Sequence, residues 1–127
     1  MILLLDTTVL IDALNNRHGR PDLLRKLTAQ SYNLACCSIV TTEILSGVPE
    51  NRWEQAERAL SQLLFVPVTQ DAAKLAGRFR YLYARQGIAL SVMDTTIAAV
   101  AVSNDLTLLT DNTKDFPMPE IKLYPLP

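Results

Sequence analysis

The sequence has a single histidine, His18, and only two cysteines, Cys36 and Cys37, adjacent within an apolar run. Histidine-based general catalysis would therefore rest on one loop residue, for which a plain surface role is the simpler account. Adjacent cysteines make poor disulfide partners, and these two read as reduced, buried small hydrophobes suited to a reducing cytosol. Long hydrophobic runs are missing as well: the longest uninterrupted one, Ile97–Val102, falls far short of a membrane span. The opening MILLLD carries no basic leader, no cleavage site and too short an apolar core for export. Nor is there an excess of charge of either sign. Twelve Lys and Arg against thirteen Asp and Glu leave a formal net charge of −1, so a phosphate-bearing partner must be attracted locally, by a basic patch or a bound cation. A cytoplasmic protein without a membrane anchor is expected.

What is present is enough for one folded unit, 1–127. A chain of this length hides roughly two-thirds of its unfolded surface, and 49% apolar residues with 20% charged ones argue against disorder outside the proline-containing end Pro117–Pro127. No repeat, low-complexity stretch or linker divides the sequence. Ile2–Leu5 reads as a buried strand followed by a helix over Val9–Asn15, and Asp22–Gln30 as a second helix. Tyr32–Cys37 returns to strand composition, and Ile39–Ser46 is helical, stopped by Gly47 and Pro49. Arg52–Leu64 predicts a helix, Phe65–Val68 a brief strand, and Gln70–Gln86 a long helix closed by Gly87. The Ala- and Val-rich Asp94–Ser103 predicts a helix packed tightly on a sheet, Leu106–Leu109 a buried strand, Thr110–Phe116 a loop, and Ile121–Tyr124 an edge strand. Strands alternating with helices imply an α/β fold, a three-layer α/β/α sandwich with a mostly parallel sheet, whose loops at the carboxyl ends of the strands meet in one crevice.

Four separated acids stand at the edges of these apolar segments: Asp6, Glu43, Asp94 and Asp115. Singly, Asp6 and Asp94 read equally well as helix N-caps, and Glu43 as an ordinary helix acid. Gathered in one crevice, they would repel one another and take up protons unless a cation neutralised them. A donor set of oxygens alone, with no His or Cys, favours Mg²⁺ or Mn²⁺ over Zn²⁺.

The four acids lie in LLLDTTVLID, SIVTTEILSGV, MDTTIAAVAV and LLTDNTKDF. In their order and spacing the chain resembles the PIN-domain ribonucleases, and among them the VapC-type toxins of bacterial toxin–antitoxin pairs, nearly from end to end. The resemblance implies that Asp6 and Asp94 are the main metal ligands, that Glu43 completes the cluster directly or through water, and that the closing motif contributes through Thr110, Asn112 or Asp115, with Asp111 the weakest candidate. It further implies Mg²⁺- or Mn²⁺-dependent hydrolysis of RNA to a 5′-phosphate and a 3′-hydroxyl, inhibition by a cognate VapB-type antitoxin, and a homodimer.

Around this centre other residues offer less. Lys74, Arg78 and Arg85 share a helical face that could track an RNA backbone, and Arg17, His18 and Arg20 form a second basic loop, although solvated surface explains both. Thr7 and Thr8 have ordinary turn and cap roles open to them. Trp53 reads as a local staple more than a partner-facing anchor. Two other classes compete. A signalling receiver wants paired acids after its first strand, where Asp6 is followed by threonines; a haloacid-dehalogenase-like phosphatase wants an acid at the position of Thr8. A PIN fold kept only as a metal-binding interaction module is the remaining alternative, against which stands the presence of all four acids.

Overall fold

Ile2–Leu5 (β1) forms the middle strand of a five-stranded sheet in the computed structural model, which describes residues 1–127. The other strands are Asn33–Cys37 (β2), Leu64–Val66 (β3), Thr107–Leu109 (β4) and Lys122–Leu123 (β5), in the order β3-β2-β1-β4-β5, and every pairing is parallel. Leu4 pairs with Ala35 on one side and Leu108 on the other. Parallel strands are covered on both faces and so dispense with polar alternation; Leu3, Leu4, Leu5, Leu108 and Leu109 are accordingly fully buried. Six helices flank the sheet, Thr7–Leu14 (α1), Arg20–Ala29 (α2), Ser38–Gly47 (α3), Trp53–Ser61 (α4), Gln70–Arg85 (α5) and Val92–Ser103 (α6), completing the α/β/α sandwich. No helix is long and apolar enough to cross a membrane.

Chain order decides where a site can form. From β1 the chain runs through β2 to β3 at one edge, then crosses back to place β4 and β5 on the far side of β1. The reversal falls between β1 and β4, and in open parallel sheets the crevice at the carboxyl ends of such strands is where ligands bind. Asp6 follows β1 directly and Thr110 follows β4 directly. The same order departs from receiver domains, in which the third strand joins the first.

Helix α6 confirms the tight packing predicted for its stretch. Thr95 through Ala101 are all buried, so no face is left for solvent, and the helix packs mainly on α5. Cys36 and Cys37 are free and buried, and burial raises both thiols.

Most element ends shift by a residue or two from the sequence expectation, and some differences have a clear physical reason. The segment predicted as one helix over Arg52–Leu64 is a 3₁₀ turn, Glu50–Arg52, leading into α4, which ends at Ser61. Strand β3 starts earlier than predicted, because Leu64 pairs with Ala35, and it ends at Val66; Phe65 on this edge is 64% exposed, so its apolar character does not report burial. Helix α6 starts two residues before Asp94, with Ser91 as its N-cap. The proline-containing end is ordered: Met118 and Phe116 are buried, Tyr124 N–H donates to the Leu108 carbonyl at 2.9 Å, and Tyr124 meets Tyr32 edge to face. Apolar anchors between the prolines outweigh their loop character there. Trp53 is half exposed and donates from Nε1 to the Val48 carbonyl at 3.1 Å, a local tie across the turn before α4.

Candidate metal centre

Asp6 is fixed at both oxygens. It caps α1, its Oδ1 accepting from the Thr7 N–H at 2.8 Å, while Oδ2 accepts from the Thr110 hydroxyl at 2.7 Å. Its own N–H extends the β1–β4 ladder by donating to the Leu109 carbonyl at 3.0 Å. The Thr110 oxygen accepts in turn from the Asn112 N–H at 3.0 Å, which ties the closing loop to the first strand.

The other acids arrive from separate elements. Glu43 projects from α3, which begins immediately after β2. Asp94 is the third residue of α6, and its N–H donates to the Ser91 hydroxyl at 3.0 Å, so Asp94 lies inside the first turn while Ser91 does the capping. Asp115 ends the 3₁₀ turn Thr113–Asp115. All four line one crevice of about 590 Å³, together with Thr8 and Asn112. They share it without forming a finished ligand shell: no three Asp, Glu, His or Cys side chains stand close enough to hold an ion as they are.

Electrostatics nevertheless couples them. Burial raises the Asp6 carboxyl above its ordinary value; hydrogen bonds from Thr110 and Thr7 oppose this, and the charges of Glu43 and Asp115 add to it. Asp94 is raised by burial too, opposed by its hydrogen bond with Ser91 and reinforced by Asp6, Asp115 and Glu43. Both thus register Glu43 and Asp115 as repulsive neighbours, and Asp94 registers Asp6 as well. Thr7 and Thr8 add hydroxyl oxygens that are buried without a hydrogen-bond partner. Concentrated negative charge with unsatisfied oxygens nearby is a donor set that a hard divalent cation would complete.

Thr110 is buried behind Asp6, where it positions that carboxylate, and Asn112 takes part through its backbone N–H as well as lining the crevice. Asp111 faces elsewhere, paired with Arg20 at 2.5 Å. Lys74, Arg78 and Arg85 are exposed on α5 and line no part of the acidic crevice; Arg85 lies over the Tyr81 ring, 4.5 Å from its centroid. Of the basic loop, Arg20 is buried, contrary to a solvated role. Two contributors went unnoticed in the sequence. The Ser-x-x-Asp spacing of Ser91 and Asp94 is a capping signal readable without a structure, whereas Ser46 on the crevice wall follows only from its helical offset from Glu43.

A parallel sheet with four acids converging at its switch point describes the PIN domain, and a sequence profile of that domain matches residues 3–119. The chain belongs to the PIN-domain family. It is 33% identical over 115 residues to Ribonuclease VapC19 of Mycobacterium tuberculosis, covering 91% of this chain and 92% of that protein. Among solved structures, the VapBC2 complex of Rickettsia felis bound to a promoter DNA fragment contains a chain matching with a TM-score of 0.82 at 27% identity, over 98% of each chain. A chain of the DNA-bound VapBC complex of Salmonella typhimurium matches with a TM-score of 0.84 at 25% identity, over 98% of this chain and 97% of that one.

Proposed function

We propose that the chain is a metal-dependent endoribonuclease, the toxin of a VapBC-type pair, hydrolysing RNA phosphodiester bonds in the acidic crevice. The observation that carries this reading is the meeting of Asp6, Glu43, Asp94 and Asp115, from four separate elements, in one crevice at the sheet's switch point. The name of the VapC19 relative supports ribonuclease activity, and the VapBC complexes support an antitoxin partner.

Asp6 and Asp94 are the main ligands in this reading, with Glu43 and Asp115 completing the charge and Mg²⁺ or Mn²⁺ as the ion. When bound, the ion supplies Lewis acidity toward a phosphodiester oxygen and toward water. Thr110 and the Thr7 N–H hold the Asp6 carboxylate in one orientation. Asp94 is set by the Ser91 cap at the first turn of a helix so buried that it has little room to shift. Glu43 and Asp115 are half-buried, and no hydrogen bond fixes either carboxylate. A homodimer is part of the same reading, and the exposed cations of α5 supply a path for the RNA backbone outside the crevice.

The test is cleavage of total cellular RNA by antitoxin-free protein with Mg²⁺ or Mn²⁺. Discrete cuts with 5′-phosphate ends, abolished by EDTA and by Asp6→Asn or Asp94→Asn, are expected. Folded protein that binds Mn²⁺ yet leaves RNA intact would instead make this an interaction module.

A further inference from the structure

Beside the acidic crevice lies a second cavity, of about 640 Å³, and Thr8, Ile11 and Asn112 line both. Its volume falls within the range of small-molecule sites. Its least exposed charge is Arg20, whose side chain is 9% exposed. Arg20 Nη2 donates to Asp111 Oδ1 at 2.5 Å, but its Nε is buried with no partner at all. Asp12 and His18 face the same space, joined at 2.9 Å through the imidazole Nδ1. An unsatisfied buried guanidinium N–H is costly and calls for an acceptor.

The balance of charge decides what kind of ligand fits. Among the lining side chains two carboxylates oppose one guanidinium and one imidazole, so even a charged His18 leaves no net positive charge there and a phosphate gains no net attraction. What the cavity offers is acceptors and donors side by side: Asp111, with lone pairs beyond the one Arg20 uses, next to donor N–H groups of Arg20 and Asn112. A nucleobase edge needs that mixture. Guanine matches it best, because its N1–H and N2 amine donate to a carboxylate while O6 and N7 accept from an arginine. Unstacked bases of single-stranded RNA are read in this way.

We propose that this cavity receives a guanine base of the RNA, from a nucleotide adjoining the one whose phosphate lies among the four acids. The proposal rests on the ribonuclease reading for its substrate and makes Arg20 and Asp111 determinants of where the chain cuts.

The experiment avoids cleavage altogether. The metal-free full chain is titrated with GMP, IMP, AMP, CMP, UMP and inorganic phosphate, following amide and arginine Nε–H resonances by NMR. GMP is expected to shift the Arg20 Nε–H and the Asn112 amide, and to bind about 5–150-fold more tightly than the other standard nucleotides, the discrimination of one bidentate base contact. IMP, which lacks the N2 amine, should bind the parent chain more weakly than GMP. Asp111→Asn should lose the preference and Asp94→Asn keep it. Equal binding of all nucleotides, the same shifts from phosphate alone, a preference untouched by Asp111→Asn, or no shift in this cavity would overturn the proposal. RNA cleavage without a GMP preference would sink the pocket alone; a GMP preference without metal-dependent cleavage would sink the ribonuclease reading alone.

Discussion

The Thr110 hydroxyl donates to Oδ2 of Asp6 at 2.7 Å, joining residues 104 positions apart across the line where β1 meets β4. The same oxygen accepts from the Asn112 N–H, so one threonine satisfies the Asp6 carboxylate and the loop behind it. Thr110→Val would leave both partners unpaired at a buried position, at a cost of about 1–3 kcal/mol. Mn²⁺ affinity should fall about 10–100-fold, as for other residues that orient a metal ligand. Thermal denaturation and calorimetric Mn²⁺ titration check both, and Thr110→Ser should restore most of each; affinity unchanged in the valine variant would remove Thr110 from the site.

The raised carboxyls of Asp6 and Asp94 make a prediction about pH. Unfolded, both titrate near the ordinary value, and folded they titrate above it because of burial and neighbouring charge. Between those two values the folded state holds more protons, so their contribution makes stability fall as pH rises through that window. Asp94→Asn removes one such group. In EDTA at neutral pH the variant should melt higher than the parent, by roughly a few degrees, with the gap closing at pH below the ordinary carboxylate value. Mg²⁺ should raise the parent's melting temperature, through preferential binding to the folded chain, and barely move the variant's. A variant that melts lower across the whole range would mean that Asp94 is held by contacts outweighing the repulsion.

The parallel sheet was legible because its strands are short apolar runs separated by helical stretches, and Ile2–Leu5 followed by Asp6 placed one acid at a strand end without coordinates. What the pattern could not carry is long-range pairing. Nothing local to Asp111 says that it turns to Arg20, 91 residues earlier, while Asp115, four residues on, turns to the acids. Strand β3 lies one residue earlier at its start and two earlier at its end than its composition suggests, because an edge strand with an exposed Phe65 lacks the burial contrast that marks central strands. The end is legible in part: the edge strand expected over Ile121–Tyr124 forms as β5, while the prolines around it hide the tertiary contacts that Met118 and Tyr124 supply.

Ser91 sets the start of α6 and thereby the height at which Asp94 enters the crevice. Ser91→Ala removes the cap and should cost about 1 kcal/mol. The first turn carries Asp94, so Mn²⁺ affinity should drop along with the melting temperature, and Ser91→Thr or Ser91→Asp should recover the stability. A loss of stability with metal affinity intact would show that the cap serves the helix alone.

Asp111 and Asp115 are neighbours in sequence and opposites in the fold. Asp115 lines the acidic crevice, and its charge is felt at both Asp6 and Asp94; Asp111 lines the adjoining cavity and pairs with the buried Arg20. Asp115→Asn should therefore weaken Mn²⁺ binding and, by removing a repulsive neighbour, move the Asp6 and Asp94 carboxyls back toward their ordinary value, which carboxyl-carbon NMR titration reads directly. Asp111→Asn should leave Mn²⁺ affinity where it was, because no ligand position changes, and lower stability by about 1–3 kcal/mol through a weakened bond to a buried guanidinium. If Asp111→Asn weakened the metal and Asp115→Asn did not, the closing loop would have to rearrange on metal binding, carrying Asp111 away from Arg20 and into the crevice.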